Sequence, residues 1–510
     1  MAIPQNFPST APEPNRLLGV GLIMMGAVVA IGLVLLLLNS GIENSYPYLF
    51  VLPWAIGLSV VVLAPSAYLY YHDRFTFYDP IVFATWSYIF PAFVLGGIVL
   101  AFGYSEPFYL SFIQDEHYNL PYAIVIVALG FGGLSLGYLM PMGRWVGARI
   151  ERLLPVRQFE PNALIIPGIA LLFLGIFNSI AALFLGVIGY QRTIELNAYD
   201  GVVFLTTLFW TQGTFLLWYV IFKQQRIEPQ TVVIGALLLV ASLAKALMAG
   251  NRAGLLGAFM TGGLAYLLAG RKLNLKQGVA AGVLLTLCLL LGMIYGTKFR
   301  ELKGSDAQVG VEQYTENIFS TLENVGGNDI FDSLEYAFLS FAWRIDTVSS
   351  VAVVASNYEQ LRPYEESYGL NDNIVRDLTT FFIPRVIWPD KPIPSDPLRY
   401  SDLYFNYPEN AFAITPFADL LRNFGLIGVP IGMFLFGILL RIIYRALIED
   451  QPRIFWRAML FFMLVISVSY ESFYGLLIPY LFKVGFTSIV GILIVMLVAK
   501  AMGNRSTNVV

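Results

Sequence analysis

Uninterrupted apolar runs of membrane length dominate this chain and leave it few ways to fold. A bilayer core of about 30 Å needs about 20 apolar residues per helix. On that length the sequence predicts twelve spans, near 17–38, 47–71, 80–103, 120–142, 162–188, 201–222, 231–249, 252–270, 278–297, 423–444, 455–474 and 477–499. Lipid offers no water to satisfy backbone polar groups, so each span must be a helix. The fold class implied is an all-α polytopic membrane protein. Only 13% of the residues are charged, against about 25% in soluble domains. Residues 1–15 are polar and Pro-rich, and the run Leu17–Leu38 lacks a small-residue cleavage site, so it reads as a retained span.

Composition excludes several functions. One cysteine, Cys288, rules out an internal disulfide framework and cysteine-based metal sites. The two histidines, His72 and His117, argue against a His-rich metal site. A net charge of −3 implies no nucleic-acid surface. No Walker-type phosphate loop occurs, so ATP-driven transport is unsupported. No internal repeat suggests a transporter's inverted halves. Neither a metal nor a cofactor is expected.

Cations are asymmetric across the spans. With the N-terminus inside, the cytoplasmic segments hold Arg74, Arg144, Arg149, Arg152, Arg157, Lys223, Arg271, Arg441, Arg445 and Arg453 among others, while the short outer loops hold only Arg192 and Arg252. Both termini are then cytoplasmic by the positive-inside rule. Three regions follow: nine spans over 1–297, a large outer segment over 298–422 with short helices, and three spans over 423–510. Long loops of this kind are usually functional. Within it, Ser333–Ser356 reads as a helix lying on or dipping into the membrane surface, and Pro416–Asn423 as a short helix running into the next span.

The string Ile383–Pro392, "IPRVIWPDKP", puts Arg385, Trp388 and Lys391 among three prolines. A stiff cationic loop with an aromatic platform suits an anionic lipid-linked substrate. Arg344, Arg399 and Arg422 are further cations of the segment, and guanidinium groups match phosphate in bidentate fashion. Each of these cations could equally form a salt bridge to the segment's carboxylates. Arg252 lies in "AGNRAG", Ala249–Gly254, where a tight turn and a helix N-terminus favour anions. Lys245, inside a span, either faces a wet cavity or snorkels. Glu471 either pairs with Lys483 across the last outer turn or forms the floor of a site. The general base stays open among Asp346, Asp396, Glu409, Asp419 and Glu471.

The late blocks "WRID", "YGLNDN", "IPRVIWPDKP" and "FADLLRNFGLIGVPIG" resemble the Wzy-type polymerases of lipid-linked oligosaccharide repeat units, as do the span plan and "NRAG" at Arg252. Gly263 completes an R-x10-G pattern after Arg252, whereas Asp396 replaces the glycine after Arg385. The resemblance implies a GT-C-like fold in a bacterial inner membrane. It also implies glycosyl transfer from an undecaprenyl-diphosphate-linked oligosaccharide to a second lipid-linked repeat unit. A flippase and a chain-length regulator are the implied protein partners, beside membrane lipid. On this reading Arg252, Arg344 and Arg385 are catalytic with Asp346 and Glu471, while Lys245, Trp388, Lys391, Arg399 and Arg422 bind substrate. The rival readings are an O-antigen ligase-like transferase, a flippase or transporter of the lipid-linked unit, and an assembly scaffold.

Overall fold

The computed structural model describes residues 46–188, 199–224, 229–248, 253–303, 311–325, 339, 341–385, 387–408, 411–412, 414–451, 453–504 and 507–508. Among them the architecture is helical. The one extended pairing there is two residues long and joins Arg157–Gln158 to Thr507–Asn508. The chain is a multi-pass membrane protein: nine helices among the described residues are long and apolar enough to cross a bilayer. The predicted first span and Arg252 lie outside the described residues.

In order, the first helices are α1 (Leu52–Tyr71), α2 (Pro80–Ala101), α3 (Glu116–Leu139) and α4 (Pro141–Glu151), followed by α5 (Ile165–Phe184) and α6 (Asp200–Lys223). Next come α7 (Pro229–Met248), α8 (Ala253–Leu268), α9 (Leu275–Lys303) and α10 (Val311–Val325). The segment after α10 supplies α11 (Val348–Leu361), α12 (Asn373–Thr380) and α13 (Pro397–Phe405). The chain closes with α14 (Pro416–Leu447), α15 (Phe455–Ile466) and α16 (Tyr474–Ala501). Two of the predicted spans, around 252–270 and 455–474, are the shorter apolar helices Gly254–Leu268 and Phe455–Ile466.

Small residues set the helix contacts, as expected where lipid removes the hydrophobic drive between helices. α3 and α14 pack most extensively. A side chain on Gly133 would collide with the Pro430 backbone, one on Gly137 with the Phe434 carbonyl, and one on Gly437 with the Leu134 carbonyl. α5 meets α6 the same way, and a Cβ on Gly213 would stand 2.6 Å from Leu172 N. α7 and α9 instead turn Val233, Leu237, Val240, Val283, Leu287 and Leu291 outward, as lipid-facing helices do.

Two departures from the sequence reading have clear causes. Residues 341–345 are helical, but the chain breaks at Asp346–Thr347, and α11 then buries every residue from Val348 to Ala355. A surface helix would need one polar face, and this stretch is small or β-branched all round, so it runs through the protein interior. α14 contains both the expected short helix and the expected span. Gly425, at φ 68° and ψ −172°, separates them in a conformation open essentially to glycine alone.

α2 is irregular too. Thr85–Leu95 winds as a π-helix, a geometry enriched at functional sites. Its start is capped by Asp79, which accepts from Ile81 N at 3.1 Å and is buried. Burial lifts the Asp79 pKa from 3.8 to about 7, outweighing the cap bond and the nearby Arg441 charge. The folded chain therefore holds this proton more tightly than the unfolded chain does. Asp79 contributes most stability below its unfolded value of 3.8 and loses that contribution as pH rises through about 7. Asp79→Asn keeps the cap acceptor and removes the ionisation. Thermal melts across this range should show a smaller loss of stability with rising pH in Asp79→Asn than in the parent. Identical profiles would contradict the assignment.

Candidate functional site

Residues Ser467–Phe473 are not helical, so the turn between α15 and α16 starts earlier than the apolar pattern suggests. Glu471 sits inside this turn and accepts an ion-paired hydrogen bond from Arg344 Nη2. The expected alternative partner, Lys483, is three turns along α16 instead. The pair is accessible, with side-chain exposures of 53% for Arg344 and 27% for Glu471. Arg344 is aimed by what surrounds it. Thr347 N donates to Ala92 O at 3.2 Å, and the Ile345 carbonyl occupies the space a side chain at Gly96 would need. The stretch 345–347 is thus seated on α2. Tyr88, from the π-helical segment, stacks on Tyr470 at 5.9 Å beside the pair.

On the other side of the same turn, α12 lies against α16. Gly475 permits this, because a Cβ there would stand 3.0 Å from Ile374 Cα and 3.3 Å from Asp377 Cβ. The string Ile383–Pro392 follows α12 and closes on itself. Lys391 Nζ donates to Ile383 O at 2.9 Å, Arg385 Nη2 to Pro392 O at 3.3 Å, and Trp388 N to Pro384 O at 3.0 Å. Two cations and a half-exposed indole are therefore held on one short loop. Lys483 joins them from α16. Desolvation lowers the Lys391 pKa, and the Lys483 and Arg385 charges lower it further, with Asp377 opposing. None of Arg385, Lys391 and Lys483 has a carboxylate ion-pair partner among the described residues. Asp377 is already engaged by Ser395 N at 3.0 Å, by the Ser395 hydroxyl and by Arg376 at 3.3 Å. Three close cations that share one nearby carboxylate, Asp377, itself already bonded, make an anion-binding surface.

Other candidates have internal work. Arg422 is buried with Asp419 and Glu365, at side-chain exposures of 1%, 0% and 4%. It contacts Glu365 at 2.9 Å, Asp419 at 2.7 Å, Leu370 O at 2.8 Å and Asn373 Oδ1 at 2.5 Å. The "YGLNDN" and "FADLLRNFG" blocks thus fit each other. A substrate phosphate would have to displace two carboxylates to reach Arg422, so its expected binding role gives way to a structural one. Arg399 donates to Tyr368 O at 3.4 Å. Lys245 donates to the Thr211 hydroxyl between α6 and α7 and stands 5.9 Å from the Trp210 ring centre. Asp346 is buried and bound by Ser349 N at 3.1 Å and by the Ser349 hydroxyl. Burial raises its pKa.

The base candidates narrow accordingly. Asp346 braces the start of α11, Asp396 caps α13 through Leu398 N at 2.9 Å, and Asp419 is locked to Arg422. Glu409 lies outside the described residues. Among the four described, Glu471 alone combines partial exposure with an exposed arginine partner, Arg344.

Sequence reading passed over Asp377, Asn373 and the π-helical Tyr88, and took Lys483 only as a partner for Glu471. The one available signal was "YGLNDN", whose asparagine Asn373 reaches the buried network. No family model, no characterised protein and no solved structure matches the chain.

Removing one partner of a buried ion pair strands the other charge, at a cost of about 3–5 kcal/mol. Arg422→Ala should therefore lower the melting temperature sharply, whereas Arg385→Ala should leave it near the parent value. Equal melting of the two variants would show that the network is dispensable.

Proposed function

We propose that this chain is a polymerase of lipid-linked oligosaccharide repeat units, acting on undecaprenyl-diphosphate-linked glycans. The observation that carries the reading is the trio Arg385, Lys391 and Lys483, without an ion-paired carboxylate among the described residues, across one turn from the Arg344–Glu471 pair. The diphosphate of the donor seats on the trio, and Trp388 presents a flat face to the adjoining sugar. A hydroxyl of a second lipid-linked glycan attacks the anomeric carbon. The new C–O bond forms as the bond from that carbon to the diphosphate oxygen breaks, and the electron pair leaves with the diphosphate. Glu471 takes the hydroxyl proton, and Arg344 shares its charge between Glu471 and the leaving group. Preorganised donors aimed at developing charge contribute several kcal/mol in a partly dry site.

The same proposal holds the finer architecture: twelve spans, a GT-C-like arrangement, a bacterial inner membrane, and cytoplasmic termini with 298–422 outside. Arg252, in the sequence between α7 and α8, would add a cation. A flippase would deliver the substrate to this face and a chain-length regulator would limit the product.

Reconstitution with a purified undecaprenyl-diphosphate-linked repeat unit tests the reading. The parent protein should make a ladder of longer lipid-linked glycans. Arg385→Ala and Arg344→Ala should each reduce its rate by about 100-fold, with insertion and melting preserved. Full rates in both variants would remove the diphosphate role. Glycan moved to a different acceptor without a ladder would indicate a ligase-like transferase, and lipid translocated without new bonds a flippase.

A further inference from the structure

A polar cavity of about 540 Å3 lies at the end of the bundle opposite the cationic loop. It is walled by the C-terminal end of α1, the start of α2, the junction of α3 and α4, and the C-terminal end of α14 with the turn after it. Four candidate spans therefore end around it, which puts it at the level where a bilayer's hydrocarbon gives way to headgroups. Its volume falls within the 300–1,000 Å3 range typical of ligand sites.

The back wall is fully built. Arg441, itself buried, donates to both oxygens of Glu449 at 2.8 Å and lies over the rings of Tyr138 and Tyr444 at 5.3 Å and 5.7 Å. The mouth is not satisfied in the same way. Arg74 is exposed and has no carboxylate partner among the described residues. Arg453 donates to Tyr78 Oη at 2.9 Å and Leu267 O at 3.1 Å, and it too has no carboxylate. Arg144 reaches Glu449 and Asp450 only at 3.9 Å and 3.5 Å. Three arginines thus keep donor capacity on one opening. Asp73 and Asp450 stand on the same rim, where they would accept from an ammonium or hydroxyl group.

We propose that this cavity binds a phosphate ester that also carries an amine or hydroxyl group. The phosphate sits on Arg74, Arg453 and Arg144, and the second group faces Asp73 and Asp450. Guanidinium–phosphate bonds are charge-assisted and bidentate, which favours phosphate over a carboxylate of equal charge. Bare phosphate would leave most of the volume unfilled, so the ligand is an ester. The chemistry has two sources: the headgroup of a membrane phospholipid or a soluble phosphate ester. The site is independent of glycosyl transfer, since it shares no residue with the cationic loop.

Calorimetric titration of the full chain in detergent tests the proposal, with dihexanoyl phosphatidylethanolamine, glycerol 3-phosphate and dihexanoylglycerol as probes. The phosphatidylethanolamine probe should bind saturably, and Arg74→Gln should weaken it about tenfold. Arg453→Gln should do the same; because Arg453 also ties the segment before α2 to α8, Arg74→Gln, which breaks no side-chain bond among the described residues, is the deciding variant. Binding of the lipid probe alone identifies a phospholipid headgroup. Comparable binding of glycerol 3-phosphate identifies a soluble ester, and both results support the site. The proposal fails if no phosphate probe saturates, if dihexanoylglycerol binds equally well, or if Arg74→Gln binds like the parent.

Discussion

A guanidinium taken out of water must be answered on nearly every donor, and Arg422 shows what that demand organises. Its partners come from three separate places: Glu365 and Leu370 before α12, Asn373 at the start of α12, and Asp419 one turn earlier on α14. Asn423 adds bonds to Asn373 and Asp419 at 2.8 Å and 3.2 Å, and Gly475 N approaches Asp419 at 3.4 Å. Such a network is weak as a source of net stability, because desolvation offsets much of the attraction. Its effect is positional. It fixes α12 against α14 and α16, and α12 in turn presents the cationic string beside Lys483.

α14 is the spine between two polar regions. Its first turns, before the break at Gly425, belong to the Arg422 network, and its last turns carry Arg441 and Tyr444 to the wall of the polar cavity. Between them, bare backbone lies on α3 through Gly133, Gly137 and Gly437. Side chains there would push the helices apart and move both regions together. The glycines of this seam therefore matter to sites that they do not touch.

Much of the plan was legible in the sequence. Apolar runs marked the helices, and Pro416–Asn423 was legible as a short helix ahead of the next span, though not the break at Gly425. The four late blocks held Arg344, Arg385 and Arg422, all singled out from sequence, and Asn373, which was not. Boundaries at turns were less legible, because Ser467–Phe473 is aromatic enough to pass for the end of a span. α11 was misread as a surface helix, since hydropathy does not separate lipid contact from protein contact. Within Thr85–Leu95 only Pro91 signals an irregular helix, and a proline does not say that the winding becomes π-helical.

The sequence by itself determined that this is a multi-pass helical membrane protein with a charged segment late in the chain, because span length and apolar content are local properties. Only the tertiary structure decided what each charge does. Arg422 and Arg385 are chemically identical, and both lie in polar stretches of the same segment. One meets Glu365, 57 residues away in sequence, and is buried as structure. The other is held by its own loop on Pro392 O, near Lys391, with no ion-paired carboxylate among the described residues. Pairing across such separations depends on how helices pack, and packing is not a property of any one segment.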